Sequence, residues 1–204
     1  MNIEKSIFSL ASLSKTFIAA AVMQLVEQEL VDLDIDVNQY LSEPQKRIFH
    51  PQYPLHSITL RQLLSHSASI YISRQVQNTY YRSGDDAFNE SLADICFKYV
   101  NPNMPHWLPK PPGTVASYSD EGSSVAALVV ERVSNMSYID YVKQKILKPL
   151  GIDITKVGIR LSDFKNTEDL VKHYSYAFNT SYIQRWQQLL PQLNITQISV
   201  NISA

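Results

Sequence analysis

Apolar side chains recur at helical spacing between residues 13 and 30, where Phe17, Val22 and Leu25 belong to the pattern. Because this stretch is apolar around much of its circumference, it predicts a long and mostly buried helix. The preceding residues, 3–11, carry apolar side chains typical of a short strand or of the approach to one. The chain therefore passes from an extended segment into a helix within its first fifteen residues.

The same periodicity predicts four further helices. Residues 57–66 offer Ser57 or Thr59 as an N-cap, since both hydroxyls can accept a backbone N–H. Residues 84–99 form an amphipathic pattern with acidic residues in the first turn, where the helix dipole favours them. The remaining two helices are predicted over residues 121–134 and 137–147, and the second ends at a Pro-Leu-Gly sequence typical of a helix stop.

The segments between these helices are predicted to be irregular. Residues 31–41 indicate a turn followed by a short helix or an extended piece. Half of the ten prolines lie between Pro102 and Pro112, which predicts a stiff loop without regular structure. The last thirty residues carry one charged side chain, Arg185, and end in alternating apolar positions. Domains rarely stop in such a stretch, so we expect the chain to be cut there.

Composition and charge restrict the classes of function. Hydrophobic residues make up 45% of the 204, which is enough to form a core. The formal net charge of −1 argues against nucleic acid or an anionic membrane as the principal partner. The single Cys96 excludes an intramolecular disulfide and a Cys-rich metal site. No apolar segment is long enough to span a bilayer.

Two observations on the cellular route disagree. The sequence contains five N-x-Ser/Thr sequons, at Asn89, Asn135, Asn179, Asn194 and Asn201. Roughly two would arise by chance in a chain this rich in Asn and Ser, so the excess favours a secretory route. No basic start followed by an apolar core precedes Ser6, and the sequence shows no secretory signal. A missing N-terminus would reconcile the two; otherwise we expect a cytoplasmic protein.

Ser12 and Lys15 stand at the start of the long helix and are the first candidates for chemistry. Three residues apart on a helix, they share a face with Cβ atoms about 5–6 Å apart. A serine hydroxyl needs an adjacent base to become a nucleophile, and Lys15 serves only if burial lowers its pKa. The alternative is that Ser12 merely caps the helix. Ser-x-x-Lys is a short pattern that recurs at Ser162 and Lys165 in a polar segment.

Three segments in order resemble one known family. They are FSLASLSKTFIAAAVMQLVEQELVDLDIDVNQYL, ITLRQLLSHSASI and PPGTVASYSDEGSSVAALVVERVSNMSYIDYVKQKILKPLGI. Together they resemble the Ser-x-x-Lys segment, the helix and turn ending in Thr-Ser-Gly, and the Pro-Gly, Tyr-x-Asn and Pro-Leu-Gly segment of serine β-lactamase-related, penicillin-binding-protein-like proteins. The resemblance is greatest to the branch of class C β-lactamases, D-alanyl-D-alanine carboxypeptidases and esterases, and covers about residues 4–160.

The resemblance implies roles for four residues. Ser12 matches the nucleophile, Lys15 its base and Tyr118 the second proton-transfer group. Asp120 occupies the substrate-binding position where the family most often has Asn. The implied substrate is a small molecule or peptide with an amide or ester bond, such as a β-lactam, a D-Ala peptide or a small ester. An acyl-enzyme would form and water would release it, with no metal or organic cofactor.

The implied fold is α+β. We expect this chain to hold the helix-rich portion of the β-lactamase/transpeptidase-like fold, truncated at both ends, with most of the antiparallel sheet missing. Residues 1–160 would form a partial β-lactamase-related domain, and residues 161–204 the start of the following segment. The sequence does not specify an oligomeric state.

Several positions depart from the family pattern. Asp120 replaces an amide donor with a negative charge beside Lys15, which would hold Lys15 protonated. Ser69 stands where a turn glycine is usual, and no Lys-Thr-Gly or His-Thr-Gly motif occurs in the sequence. His66, at a helix end, is expected to be a hydrogen-bonded structural residue. Two alternatives to an enzyme therefore stay open: a catalytically inactive binding protein, or an incomplete gene product.

Overall fold

The computed structural model describes residues 6–43, 45–77 and 89–171, and its regular structure in these ranges is helical. The α-helices are α1 Lys15–Glu27, α2 Asn38–Leu41, α3 Leu60–Leu64, α4 Arg74–Gln77, α5 Leu92–Tyr99, α6 Asp120–Ser134 and α7 Tyr138–Tyr141. A π-helix, Val142–Leu147, continues α7. Short 3₁₀ turns occupy Ala11–Ser14, Ile154–Lys156, Leu161–Asp163 and Thr167–Asp169.

Helix α6 is the centre of the packing, because α1, α2, α3, α5 and α7 all contact it. Ser119 caps its start by accepting the Gly122 N–H at 3.0 Å, as its position before an apolar run favours. The helix ends at Asn135, whose left-handed φ of 54° is one that asparagine tolerates. Five consecutive or near-consecutive side chains in its middle are fully buried: Val125, Ala126, Leu128, Val129 and Val130.

The long N-terminal helix is shorter and more one-sided than its pattern predicts. It runs from Lys15 to Glu27 after a 3₁₀ turn, not over the whole of residues 13–30. Glu29 adopts a left-handed φ of 57°, and the N–H of Leu30 reaches back to the Leu25 carbonyl at 3.0 Å. This bonding pattern closes the helix end without a glycine. One face is buried against the core, at Ile18, Ala21, Val22 and Leu25.

The predictions for α2, α3, α6 and α7 are confirmed in their main features. Helix α2 follows a turn, as expected for residues 31–41. Thr59, not Ser57, caps α3: its hydroxyl accepts the Gln62 N–H and the Gln62 side chain accepts the Thr59 N–H. Such reciprocal pairing satisfies two N–H groups that have no partner within the helix. The π-helix after α7 is followed by Gly151, with φ of +77°.

Two other elements differ from their predictions. Helix α5 begins at Leu92, after the cap Ser91, and is therefore shorter than the predicted 84–99. Residues 84–88 lie outside the described residues. In the predicted strand 3–11, residues 3–5 also lie outside them, and Ile7 forms a single parallel bridge to Leu170. One bridge pairs too few residues to make a strand.

The β-pairing found in the described ranges is limited to three isolated bridges, Ile7 to Leu170, Asp36 to Thr59 and Ile70 to Trp107. The last of them joins Ile70 to Trp107 of the proline-rich loop, which is irregular as predicted. Among the helices that the structure describes, none has the length and apolar character needed to cross a membrane. The residues after 171, with the sequons at Asn179, Asn194 and Asn201, are outside the described part.

Candidate active site

Ser12 lies in the 3₁₀ turn Ala11–Ser14, immediately before α1, and is exposed. It does not cap the helix: the cap position is Ser14, whose own hydroxyl donates to the Ala11 carbonyl at 2.6 Å. The Ser12 Oγ instead accepts two hydrogen bonds, from Lys15 Nζ at 3.4 Å and from the Tyr118 hydroxyl at 2.7 Å. The alternative reading of Ser12 as a helix cap is therefore wrong.

Ala11, directly before Ser12, has a φ of 45°, in the left-handed region. A residue with a Cβ atom in that region costs about 1–2 kcal/mol. Backbone strain of this kind is found at functional sites more often than elsewhere. Here it accompanies the sharp change from the approach segment to the 3₁₀ turn, and that turn presents the Ser12 hydroxyl at the surface.

Lys15 connects Ser12 to the start of α6. Its ammonium lies 2.5 Å from Asp120 Oδ1, with 22% of the Lys15 side chain and 53% of the Asp120 side chain exposed. Burial lowers the pKa of Lys15, but the hydrogen bonds and charges of Asp120 and Tyr118 together outweigh burial and raise it above 10.5. The condition set by the sequence analysis, that burial lower the pKa of Lys15 enough for it to act as a base, is therefore not met, because Asp120 and Tyr118 together outweigh burial.

Tyr118 comes from a segment 106 residues away in the chain and completes the cluster. It is 56% exposed and stands directly before Ser119, the N-cap of α6. Its ring lies under the Lys15 ammonium, 5.0 Å from Nζ to the ring centroid, an arrangement in which a cation is attracted to the aromatic face. The structure thus brings Ser12, Lys15, Tyr118 and Asp120 together, as the four predicted site residues.

The segment leading to Tyr118 is tied to the turn that follows α3. Gly113, whose φ of +88° favours glycine, donates its N–H to the Ser67 carbonyl at 2.7 Å. The Ser117 N–H donates to the His66 carbonyl, also at 2.7 Å. These bonds hold the Pro-Gly segment against the turn and place Tyr118 beside the start of α1.

His66 itself reaches into this cluster, which the sequence did not predict. It was expected to make structural hydrogen bonds, and its Nδ1 does accept the Ser119 N–H at 3.3 Å. Its ring also packs against the Tyr118 ring, with centroids 4.5 Å apart and planes inclined at 41°. No spacing in the sequence indicates this second contact, because it depends on how the 66–69 turn and the 113–119 segment meet.

The remaining candidates lie elsewhere. The second Ser-x-x-Lys copy is outside the cluster: Ser162 belongs to the 3₁₀ turn Leu161–Asp163, and Lys165 follows that turn. Over residues 6–43, 45–77 and 89–171, no three His, Cys, Asp or Glu side chains are grouped in a way that could hold a metal ion. Cys96 is buried on α5, and burial raises the pKa of its thiol to about 12.

Comparison with known proteins gives consistent relatives. Penicillin-binding protein 4* of Bacillus subtilis (strain 168) is 28% identical over 180 residues, which are 85% of this chain and 34% of that protein. The octameric penicillin-binding protein homologue from Pyrococcus abyssi is 27% identical, with a TM-score of 0.53 over 69% of this chain and 30% of its own. A D-stereospecific amidohydrolase from Streptomyces sp. is 26% identical, with a TM-score of 0.54 over 69% of this chain and 41% of its own.

These solved structures support the β-lactamase/transpeptidase-like fold that the resemblance implies. The chain spans about a third of the length of the curated relatives it matches. The family model described as Beta-lactamase matches residues 4–184, which include the whole of the cluster around Ser12. The chain belongs to the beta-lactamase family.

Proposed function

We propose that the site is that of a serine hydrolase, which cleaves an amide or ester bond through an acyl-enzyme at Ser12. The observation that carries this proposal is the convergence of Lys15 and Tyr118 on one exposed serine oxygen. A nucleophile within hydrogen-bonding reach of groups that can take and return its proton is the arrangement that covalent catalysis requires.

In the proposed reaction, Ser12 Oγ attacks the substrate carbonyl carbon and forms a C–O bond. The hydroxyl proton passes to the pair formed by Lys15 and Tyr118, which then protonates the leaving amine or alcohol as its bond to the carbonyl breaks. Water attacks the resulting ester, the pair takes a proton from that water, and Ser12 leaves with its proton restored. Because the two groups are coupled, we assign the proton transfers to the pair.

The charge state of Lys15 sets the condition under which this pair can act. At rest both partners donate to Ser12 Oγ, so one of them must lose a proton before the serine can be deprotonated. Asp120 raises the pKa of Lys15 and favours the ammonium. We therefore expect acylation to be slow at neutral pH and to accelerate as the pH rises towards the pKa of Lys15.

Asp120 is proposed to contact the substrate as well. A carboxylate can only accept hydrogen bonds, whereas the Asn usual in the family can also donate. With about half of its side chain exposed beside Ser12 and Lys15, Asp120 is placed to accept an N–H of a bound substrate. The names of the relatives favour the same classes of substrate: one is a penicillin-binding protein and another a D-stereospecific amidohydrolase.

The short ion pair between Lys15 and Asp120 favours a second candidate function, a binding protein of the same fold without turnover. Such a protein would bind a β-lactam or a peptide at the same cluster while the ammonium stays protonated. It would differ from the enzyme in that it either forms no acyl-enzyme or does not release it.

Hydrolysis of nitrocefin and of p-nitrophenyl acetate separates the two candidates. We expect turnover that is lost in Ser12→Ala and kept in Ser162→Ala, which removes the serine of the other Ser-x-x-Lys copy. Equal rates for the two variants would contradict the proposed nucleophile. Binding of a β-lactam by the unaltered protein, without turnover of either substrate between pH 7 and pH 10, would favour the binding protein.

A further inference from the structure

We propose that His66 is a positioning residue: its neutral imidazole holds the Tyr118 phenol against Ser12. The inference rests on the proposed function of Tyr118 in proton transfer. It adds His66 to the four residues of the cluster, Ser12, Lys15, Tyr118 and Asp120. The protonation state of His66 then decides whether Tyr118 is held in that cluster.

His66 contacts three successive residues of the segment that carries the tyrosine. Its carbonyl accepts the Ser117 N–H at 2.7 Å, and its Nδ1 accepts the Ser119 N–H at 3.3 Å. Between these two bonds its ring packs on the Tyr118 ring, 4.5 Å from centroid to centroid. One residue therefore fixes the backbone on both sides of Tyr118 and the plane of its ring.

The backbone of His66 is itself held in place by the end of α3. Its N–H donates to the Leu63 carbonyl at 3.2 Å, and the next residue, Ser67, donates to the Gln62 carbonyl at 2.7 Å. This is the bonding pattern in which the position taken by His66 is usually a glycine with positive φ. His66 occupies it with a φ of 57°. A glycine would make this turn with less strain, so the histidine side chain must offset that strain through its contacts.

The contact with Ser119 depends on the protonation of the imidazole. A backbone N–H can only donate, so Nδ1 must carry a lone pair and the ring proton of the neutral form lies on Nε2. Protonation would set a second N–H against the Ser119 N–H. It would also add a positive charge near Lys15.

The groups that face the ring act on its pKa in opposite directions. Burial lowers the pKa of His66 below 6.5, the positive charge of Lys15 on α1 lowers it further, and Asp120 on α6 opposes them. Tyr118, a further titratable side chain, packs on the ring. The imidazole is therefore neutral at pH 7, and the contacts to Ser119 and Tyr118 are intact there.

The decisive variant is His66→Asn. Asparagine tolerates a left-handed backbone, and its amide oxygen can accept the Ser119 N–H but does not titrate. His66→Ala removes both the acceptor and the ring. His56→Asn is the matched control, because His56 is exposed and lies outside the cluster.

The test is a pH titration of the full chain labelled with ¹⁵N-serine, followed by NMR between pH 4.5 and 8. We expect the Ser119 amide resonance to shift with a midpoint below 6.5, the same midpoint that the His66 ring protons report. The shift should be absent in His66→Asn and unchanged in His56→Asn. A Ser119 amide that does not titrate, or that still titrates in His66→Asn, would overturn the proposal.

The kinetic counterpart is the rate of covalent modification of Ser12, which is phosphonylated by a fluorophosphonate with loss of fluoride and acylated by a penicillin as the β-lactam ring opens. Displacement of a catalytic group by about 1 Å can cost on the order of 10²-fold in rate. We expect His66→Ala to lose at least tenfold and His66→Asn to stay within about threefold at pH 7. Equal rates for His66→Ala and the unaltered protein would overturn the positioning role. If the unaltered protein is not acylated, the proposed function fails, while the NMR titration still decides the contact.

Discussion

At the scale of single residues, the site consists of two charged side chains and two hydroxyl groups. Ser12 Oγ accepts from Lys15 and Tyr118, and Asp120 holds the lysine as an ammonium. In the proposed mechanism, a carboxylate that raises the pKa of Lys15 would slow the reaction near neutral pH, while its ion pair with Lys15 stabilises the arrangement of side chains. The four side chains are therefore in contact, and Lys15, the proposed base, is in its protonated form.

Replacing Asp120 with Asn tests this restraint. Without the carboxylate the pKa of Lys15 should fall. A fall of one pH unit makes the neutral amine more accessible by about 1.4 kcal/mol relative to the ammonium. We expect faster acylation near pH 7 and a pH profile displaced towards lower pH. The matched control is Asp140→Asn, since Tyr138 and Asp140 form the other Tyr-x-Asp sequence of the chain. An unchanged profile in Asp120→Asn would contradict the restraint.

The ion pair between Lys15 and Asp120 also contributes to the free energy of unfolding. Because Lys15 has a raised pKa in the folded protein, the pair stabilises the fold below pH 10.5 and loses that contribution as the pH rises through the folded value. Asp120 is half exposed, so the contribution is screened and should not exceed about 1 kcal/mol. We expect the free energies of unfolding in urea of the unaltered protein and of Asp120→Asn to differ by less than that at pH 7 and to converge as the pH rises past the folded pKa of Lys15. A difference that widens as the pH rises above 10.5 would contradict this assignment.

Tyr118→Phe isolates the hydroxyl that donates to Ser12. Groups that transfer protons in the transition state contribute typically 10²–10⁴-fold in rate. We expect Tyr118→Phe to lower the rate of Ser12 acylation by a factor in that range. Tyr138→Phe, at the other Tyr-x-Asp sequence, should leave the rate unchanged. A loss of less than threefold in Tyr118→Phe would remove the tyrosine from the proposed mechanism.

At the scale of elements, the turn after α3 is the least predictable feature of the site. His66 and Ser69 both adopt left-handed backbones, with φ of 57° and 58°, and neither is a glycine. Helices and caps follow from local spacing, so the sequence predicts them. A non-glycine residue with positive φ carries no such local signal, and the contact of His66 with Tyr118 needs two segments about fifty residues apart.

Ser69 provides a stability test of that turn. It is buried, and its hydroxyl donates to the Pro111 carbonyl at 3.1 Å. Ser69→Ala removes the hydrogen bond but keeps the strained backbone, at a cost of about 1 kcal/mol. Ser69→Gly removes the bond and also relieves about 1–2 kcal/mol of left-handed strain. We expect Ser69→Gly to be the more stable of the two variants in urea unfolding. The opposite order would show that packing of the side chain outweighs the backbone strain.

At the scale of the whole molecule, α6 connects the core to the site. The fully buried middle of α6 packs among five other helices, and its first residue is Asp120. The sequence predicted this helix to within one residue because its apolar pattern is local. It did not predict from the residues alone that α6 and α1 would meet at Ser12, since that distance is set by tertiary packing. Only the family resemblance predicted that Tyr118, before α6, and Ser12, before α1, belong to one site.

Leu128→Ala tests the part that α6 plays in stability. Leu128 is fully buried, and removing a buried leucine side chain costs about 2–5 kcal/mol, against a typical total stability of 5–15 kcal/mol. Leu13, beside Ser12, is 66% exposed, and Leu13→Ala should change stability by less than about 0.5 kcal/mol. Similar losses in the two variants, measured by thermal unfolding, would contradict the arrangement of the core.

The most direct test of the central claim is intact-mass spectrometry after incubation with a fluorophosphonate or a penicillin. We expect one covalent adduct per chain at Ser12, absent in Ser12→Ala and present in Ser162→Ala. Peptide mapping should place it within the 3₁₀ turn before α1. An adduct that persists in Ser12→Ala, or that maps to Ser162, would contradict the account.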